Sequence, residues 1–132
     1  MRKIIFIIFL LTIFSINFLY NGTTNETIKI SKAYSYPNPF DNNKEVTHIK
    51  FVLSSDVTNR NGDISVIIYD FNGKKVWSKI EKGVKINPNE TKEFIWGGEN
   101  DLGNKVPKGL YFAKIIIEAN NTCYKVIKIL IK

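Results

Sequence analysis

The sequence contains a single cysteine, Cys123, so no disulfide forms within the chain. In a strand context such a residue reads as a small apolar side chain, with a bridge to another molecule as the lesser alternative. There is also a single histidine, His48, and no Ser-His-Asp array can be argued from its neighbours. Arginine occurs only at Arg2 and Arg60, although Lys and Arg together number 19. Arginine is the usual reader of bases and two-point donor to phosphate. The formal charge of +7 therefore does not point to nucleic acid, and the lysines are scattered, as at Lys29, Lys50, Lys79, Lys92 and Lys114. There is no C-x-x-C, no H-E-x-x-H and no phosphate-binding glycine loop. No segment has the period of a helix. The chain thus reads as a protein that is not an enzyme, with no catalytic residues, no cofactor, no bound metal and no small-molecule substrate.

What is present begins with a targeting segment. Arg2 and Lys3 precede an uncharged apolar run over residues 4–20, the pattern of a secretory signal peptide. The run is shorter than the roughly 20 residues of a comfortable spanning helix. Residues 1–22 are read as the signal peptide and as the chain's only contact with a membrane. Residues 23–33 are polar and rich in Thr and Asn, and read as a linker. The rest, residues 34–132, is one domain, expected to act after export, in the periplasm, on the outer-membrane surface or outside the cell.

This domain is built of strands and turns. A short first strand is expected near residues 34–36. Ile49, Phe51 and Leu53 alternate with His48, Lys50 and Val52, which makes a half-buried strand with His48 and Lys50 pointing out. Turn-formers over residues 54–63 lead to a second alternation, with Ile64, Val66 and Ile68 on one face. The sequence Asp70-Phe71-Asn72-Gly73-Lys74 is a hairpin signal, and Asn72-Gly73 predicts a type I′ turn. A strand over residues 76–80 and a loop over 83–89 follow. Residues 91–96 form a strand with Phe94 and Trp96 facing in and Lys92 at its end. After a long turn over 97–109, Tyr111, Ala113, Ile115 and Ile117 share one face of another strand. The final strand, 122–132, carries Lys125, Lys128 and Lys132, which do not fit one face. A bulge between Lys125 and Lys128 is expected to reconcile them. About seven strands at this spacing read as an all-β, immunoglobulin-like antiparallel sandwich.

Two other groupings carry possible chemistry. Glu99, Asn100, Asp101 and Asn104 offer oxygens in one loop, but the spacing matches no EF-hand and such loops are ordinary turn chemistry. Tyr69 and Trp77 are candidates for an exposed aromatic pair able to stack on a carbohydrate, with cross-strand packing as the plainer reading.

Several blocks occur in a telling order. Tyr36-Pro37-Asn38-Pro39-Phe40 opens the domain. Thr47-x-Ile49-x-Phe51-x-Leu53 follows, then Tyr69-Asp70-Phe71-Asn72-Gly73-Lys74, Trp96-Gly97-Gly98 and Pro107-Lys108-Gly109-Leu110-Tyr111. Lys128, Ile129, Leu130, Ile131 and Lys132 close it. Over residues 34–132 the sequence resembles the type A C-terminal sorting domain of the type IX secretion system. It also resembles the related immunoglobulin-like domain of flagellar hook-capping proteins. The Pro-Asn-Pro-Phe opening and the closing lysine-flanked apolar triplet favour the sorting domain. That resemblance implies a protein partner, the outer-membrane export machinery. It assigns recognition to Pro107, Gly109 and Tyr111 and to Lys128, Ile129, Leu130, Ile131 and Lys132. Pro37, Asn38, Pro39, Asp70, Asn72, Gly73 and Trp96 are then the structural motif. The family's Trp-Asp-Gly is Trp96-Gly97-Gly98 here. Resemblance to the hook-cap type implies instead a free-standing periplasmic or surface binding module.

Overall fold

The computed structural model describes residues 27–54 and 60–132; the expected signal peptide lies outside the described residues. Seven strands run in chain order: β1 (Lys29–Tyr36), β2 (Thr47–Ser54), β3 (Arg60–Tyr69), β4 (Lys75–Ile86), β5 (Thr91–Trp96), β6 (Gly109–Glu118) and β7 (Thr122–Ile131). They form a three-stranded sheet, β1-β2-β5, and a four-stranded sheet, β4-β3-β6-β7. Every ladder is antiparallel. The chain is an all-β, immunoglobulin-like sandwich.

Period-two alternation decides which residues enter the core, because successive side chains of a strand point to opposite faces. Ile49, Phe51 and Leu53 of β2, Ile64, Val66 and Ile68 of β3, and Ala113, Ile115 and Ile117 of β6 are all fully buried. Phe94 and Trp96 supply the inner face of β5, and Ile129 and Ile131 that of β7. Lys92 shares the inner side of β5 but reaches Glu90 at 2.7 Å near the strand end. The hydrogen-bonding amine of Lys92 holds the Glu90 carboxyl below its usual value.

The structure departs from the sequence reading in five places. The stretch 23–33 is not all linker, since β1 begins at Lys29 and Ile28 is buried in the core. Apolar Ile28 and Ile30 lie within a polar run, so their burial is not visible locally. Strand β4 extends to Ile86 through a register shift opposite Asp63, where Gly83 N donates to Asp63 Oδ1 at 2.9 Å. Its edge position lets Lys79 and Glu81 sit on the core side, which hides the alternation.

The hairpin at Asp70–Gly73 is present, but its turn is type I followed by a one-residue bulge. Gly73 has φ of 80° while Asn72 is not in the positive-φ region. Gly73 N donates to Asp70 O at 3.0 Å, and Asp70 Oδ1 accepts from Asn72 N and Lys74 N, each at 2.9 Å. The carboxylate thus does the work that positive φ at Asn72 would otherwise do.

No bulge separates Lys125 from Lys128, and β7 pairs with β6 in unbroken register. Lys125 lies on the inner side and Lys128 on the outer. The inner position is tolerated because β7 is an edge strand, and Lys125 Nζ crosses to Ser31 O of the other sheet at 3.2 Å. Lastly, Tyr69 and Trp77 do not form an aromatic pair. Trp77 stands opposite buried Ile68 and packs against the core, whereas Tyr69 pairs with Phe112 on the other face.

Candidate functional site

The blocks that the resemblance singles out lie far apart in sequence and converge on one strand. Strand β6 opens at Gly109, with φ of 150°, and its first residues pair with the last of β7. The register sets Gly109 opposite Ile131, Leu110 opposite Leu130, and Tyr111 opposite Ile129. The Pro107-to-Tyr111 block and the terminal strand therefore form one local ladder.

The opening motif lies against the other side of β7. Asn38 Nδ2 donates to Lys128 O at 2.8 Å, and Leu130 N donates to Asn38 Oδ1 at 2.9 Å. Phe40 N then donates to Leu130 O at 3.0 Å, and Lys132 N to Phe40 O at 3.0 Å. One side-chain amide and one backbone residue thus take up the hydrogen-bonding groups that an edge strand otherwise leaves open. Further up the same edge, Asn121 exchanges two 3.1 Å bonds with the Ile28 backbone. A partner cannot add a strand along Lys128 to Lys132 without first displacing Asn38 and Phe40. Pro37 and Pro39 flank this Asn, and Thr47 Oγ1 fixes the segment by donating to Pro37 O at 2.7 Å.

Behind the seal stands an aromatic cluster. Trp96 meets Phe40 edge-on at 5.8 Å between ring centres and Tyr111 at 5.5 Å. Trp96 Nε1 donates to Glu99 O at 2.8 Å. Tyr111 is buried, and its hydroxyl donates to Pro107 O at 2.6 Å. Burial, and then the negative charge of Asp70, push the Tyr111 phenol up, which keeps it a donor. Tyr111 also lines a hollow of about 350 Å³ with Asp70, Val76, Asp101, Val106 and Pro107. Asn72 and Gly73 belong to the neighbouring turn and do not line it.

The loop between β5 and β6 is held by groups that sequence reasoning missed. Buried Asn42 donates from Nδ2 to Val106 O at 3.0 Å and to Gly98 O at 3.3 Å. At Gly97, where the sorting domains that the sequence resembles have Asp, an added Cβ would lie 2.6 Å from Glu99 Oε2. Glu99 Oε1 accepts from Gly97 N at 3.4 Å, and Lys105 Nζ donates to Gly97 O at 2.7 Å. A carboxylate two residues along therefore occupies the space of the missing one. The other candidate oxygens are turned to different donors. Asn100 Oδ1 accepts from Leu102 N and Asn104 N, each at 3.0 Å. Asp101 pairs with Lys75 at 3.1 Å and accepts from Ser78 N. The Lys75 amine and then this N–H hold the Asp101 carboxyl below its usual value.

The named recognition residues divide by face. Ile129 and Ile131 are buried, as is Tyr111. Lys128, Leu130 and Lys132 point out, with Leu130 43% exposed; Pro107 is exposed in the loop before β6 and Gly109 is half-buried. Cys123 sits on the inner side of β7, packed against the core, and burial pushes its thiol up and away from reactivity.

The Asn38 bridge makes a direct expectation. Asn38→Ala removes one acceptor and one donor from β7 at an exposed edge, where water partly replaces them, so the cost is about 1 kcal/mol. Amide exchange at Leu130, measured by NMR, should accelerate far more than at Ile129, which bonds to β6. Unchanged exchange at Leu130 would mean that the side chain does not close this edge.

Compared with known protein families and with curated proteins, the sequence matches none. Among solved structures it is similar to dimeric latent PorU from Porphyromonas gingivalis, with 20% identity and a TM-score of 0.61. That match covers 83% of this chain and 10% of the other. It is also similar to the β-glucuronidase of Parabacteroides merdae solved with glycerol in its active site, at 18% identity and a TM-score of 0.58. There 79% of this chain and 13% of the enzyme are covered. The chain thus spans about a tenth of these proteins, and what it shares with them is the fold.

Proposed function

We propose that the chain is a non-enzymatic, exported targeting module of the type IX kind, read by a protein partner at the outward side chains of its terminal strand. The observation that supports this best is the convergence of three distant blocks on β7. Asn38 and Phe40 seal its backbone edge, Gly109 to Tyr111 pair with its other side, and Trp96 packs behind. What the strand then offers a partner is Lys128, Leu130 and Lys132. Exposed residues can be varied freely as far as folding is concerned, so a lysine–apolar–lysine display serves recognition better than it serves stability. The fold shared with a segment of PorU supports the type IX link. Recognition through side chains differs from strand addition, for which Lys128 O, Leu130 N, Leu130 O and Lys132 N are already taken by Asn38 and Phe40.

The test is export of a reporter. Residues 23–132 are fused behind a signal peptide and a reporter, in a bacterium with a working type IX system. The reporter is expected outside the outer membrane. The pair Lys128→Ser and Lys132→Ser keeps Ile129 and Ile131 in the core and is expected to hold the reporter in the periplasm. If the intact fusion stays periplasmic while folded and undegraded, the sorting function is wrong.

A further inference from the structure

The outer face of the three-stranded sheet carries a second feature, remote in role from β7. Its register builds two short rows across the strands. Tyr34 stands opposite Lys50, which stands opposite Glu93; Tyr36 stands opposite His48, which stands opposite Ile95. With Pro37, the residues Tyr34, Tyr36, His48, Lys50 and Glu93 line an open hollow of about 700 Å³. Tyr36 is 72% exposed and Tyr34 41% exposed. Two positions along a strand place them about 6.7 Å apart, with the polar groups about 5 and 10 Å to the side.

Large side chains left open on a sheet are informative, because folding alone favours covering them. Here the rings are not backed by an aliphatic patch. Their neighbours are an imidazole, an ammonium and a carboxylate, with Ile95 the sole aliphatic side chain in the two rows. The ring faces suit the C–H faces of a sugar, and the polar groups suit its hydroxyls. A protein contact of this size would want a desolvated apolar centre instead.

Charge narrows the class. The Glu93 carboxylate is taken up by His48 Nδ1. The Lys50 amine makes no hydrogen bond or ion pair among the described residues, and Lys32 Nζ lies 5.2 Å from the centre of the Tyr34 ring. One hydrogen-bonded carboxylate beside two ammonium groups leaves the hollow net positive. We propose that this face binds an acidic polysaccharide, with uronic acid units stacked on Tyr34 and Tyr36 and a sugar carboxylate on Lys50. Ammonium–carboxylate bonds are charge-assisted and directional enough to select the acid over the neutral sugar.

The test uses affinity electrophoresis of the purified chain through gels containing polygalacturonate, or dextran as the neutral counterpart. Polygalacturonate is expected to retard the protein and dextran to leave it unaffected. Tyr36→Ala, which changes no charge at neutral pH, is expected to weaken binding about tenfold, the worth of one ring contact. Tyr36→Phe keeps the ring and should retain most of it. Lys50→Ser should weaken binding strongly, whereas Lys82→Ser, which removes the same charge from the other sheet, should not. All three positions are solvent-facing, and circular dichroism verifies that each of the four variants is folded. Equal loss in Lys50→Ser and Lys82→Ser, or none in Tyr36→Ala, would reduce the effect to general basicity and overturn the site. Retardation by dextran alone, by neither polymer, or capture of a protein at this face in place of either, overturns it as well.

Discussion

Replacing Trp96 with alanine is expected to unfold the domain at moderate temperature. Trp96 is completely buried and is the largest side chain in the core. It touches Phe40 on one side and Tyr111 on the other, and its indole N–H is satisfied by Glu99 O. Truncating a buried aromatic costs about 3–5 kcal/mol, because a cavity remains where the ring stood. Domains of this size have about 5–15 kcal/mol in total. A melting curve followed by circular dichroism should fall by about 15 °C or more. Trp96→Phe keeps a ring between Phe40 and Tyr111 but leaves Glu99 O without its donor, so an intermediate loss is expected. A Trp96→Ala protein that melts within a few degrees of the parent would show that the cluster does not hold this end together. The effect also bears on β7. Phe40 is the residue whose backbone closes the edge at Leu130 and Lys132, so losing its packing partner should loosen the terminal strand before the opposite end of the sandwich.

Much of this architecture was legible because period-two burial is local information. The inner residues of β2, β3 and β6 could be named from alternation alone, and so could Trp96 and Phe94. The hairpin at Asp70 was legible in place but not in turn type, since Asn-Gly allows two geometries and the Asp70 carboxylate selects one. The length of β4 was hidden by Lys79 and Glu81 on its core side. An edge strand lets such heads reach solvent past the end of the sheet, as snorkelling side chains do. The same physics misled the reading of Lys125, where a bulge was expected and an inward lysine reaching Ser31 is found.

The candidate site was legible as a set of motifs and illegible as a mechanism. The spacing of Pro37, Asn38 and Pro39 says nothing of Asn38 acting as a surrogate strand for residues 90 and more positions away. Nor does Asn42 look different from its neighbours in Asp41-Asn42-Asn43, although Asn42 alone is buried. Asp41 instead caps the local turn, accepting from Asn43 N, and that N–H is the chief reason its carboxyl sits below the usual value. Contacts of this kind depend on how the two sheets meet at their edges, which no local pattern encodes.

Gly98→Ala is expected to be the second most damaging single change, and for two separable reasons. Gly98 has φ of 76°, a conformation that costs an alanine about 1 kcal/mol. An added Cβ would also stand 2.5 Å from Asn42 Cβ and 2.9 Å from its Nδ2. Asn42 would have to withdraw, leaving Val106 O without its donor, while Gly98 O keeps its bond from Val106 N at 2.8 Å. A buried group so orphaned costs about 1–3 kcal/mol. With the backbone cost the loss is about 2–4 kcal/mol. Gly73→Ala supplies the comparison, because Gly73 has nearly the same backbone angle, 80°, with nothing within 4 Å of an added Cβ. Its loss should stop at about 1 kcal/mol, the backbone cost alone. The excess of the first variant over the second then measures the clash with Asn42, read from urea midpoints of the two proteins. Adding Asn42→Gly to Gly98→Ala removes the Cβ and the amide that the new methyl would strike, so the double variant should lose less than the two single losses added together. Equal losses at Gly98 and Gly73, or strict additivity in the cycle, would mean that Asn42 does not lock the loop between β5 and β6.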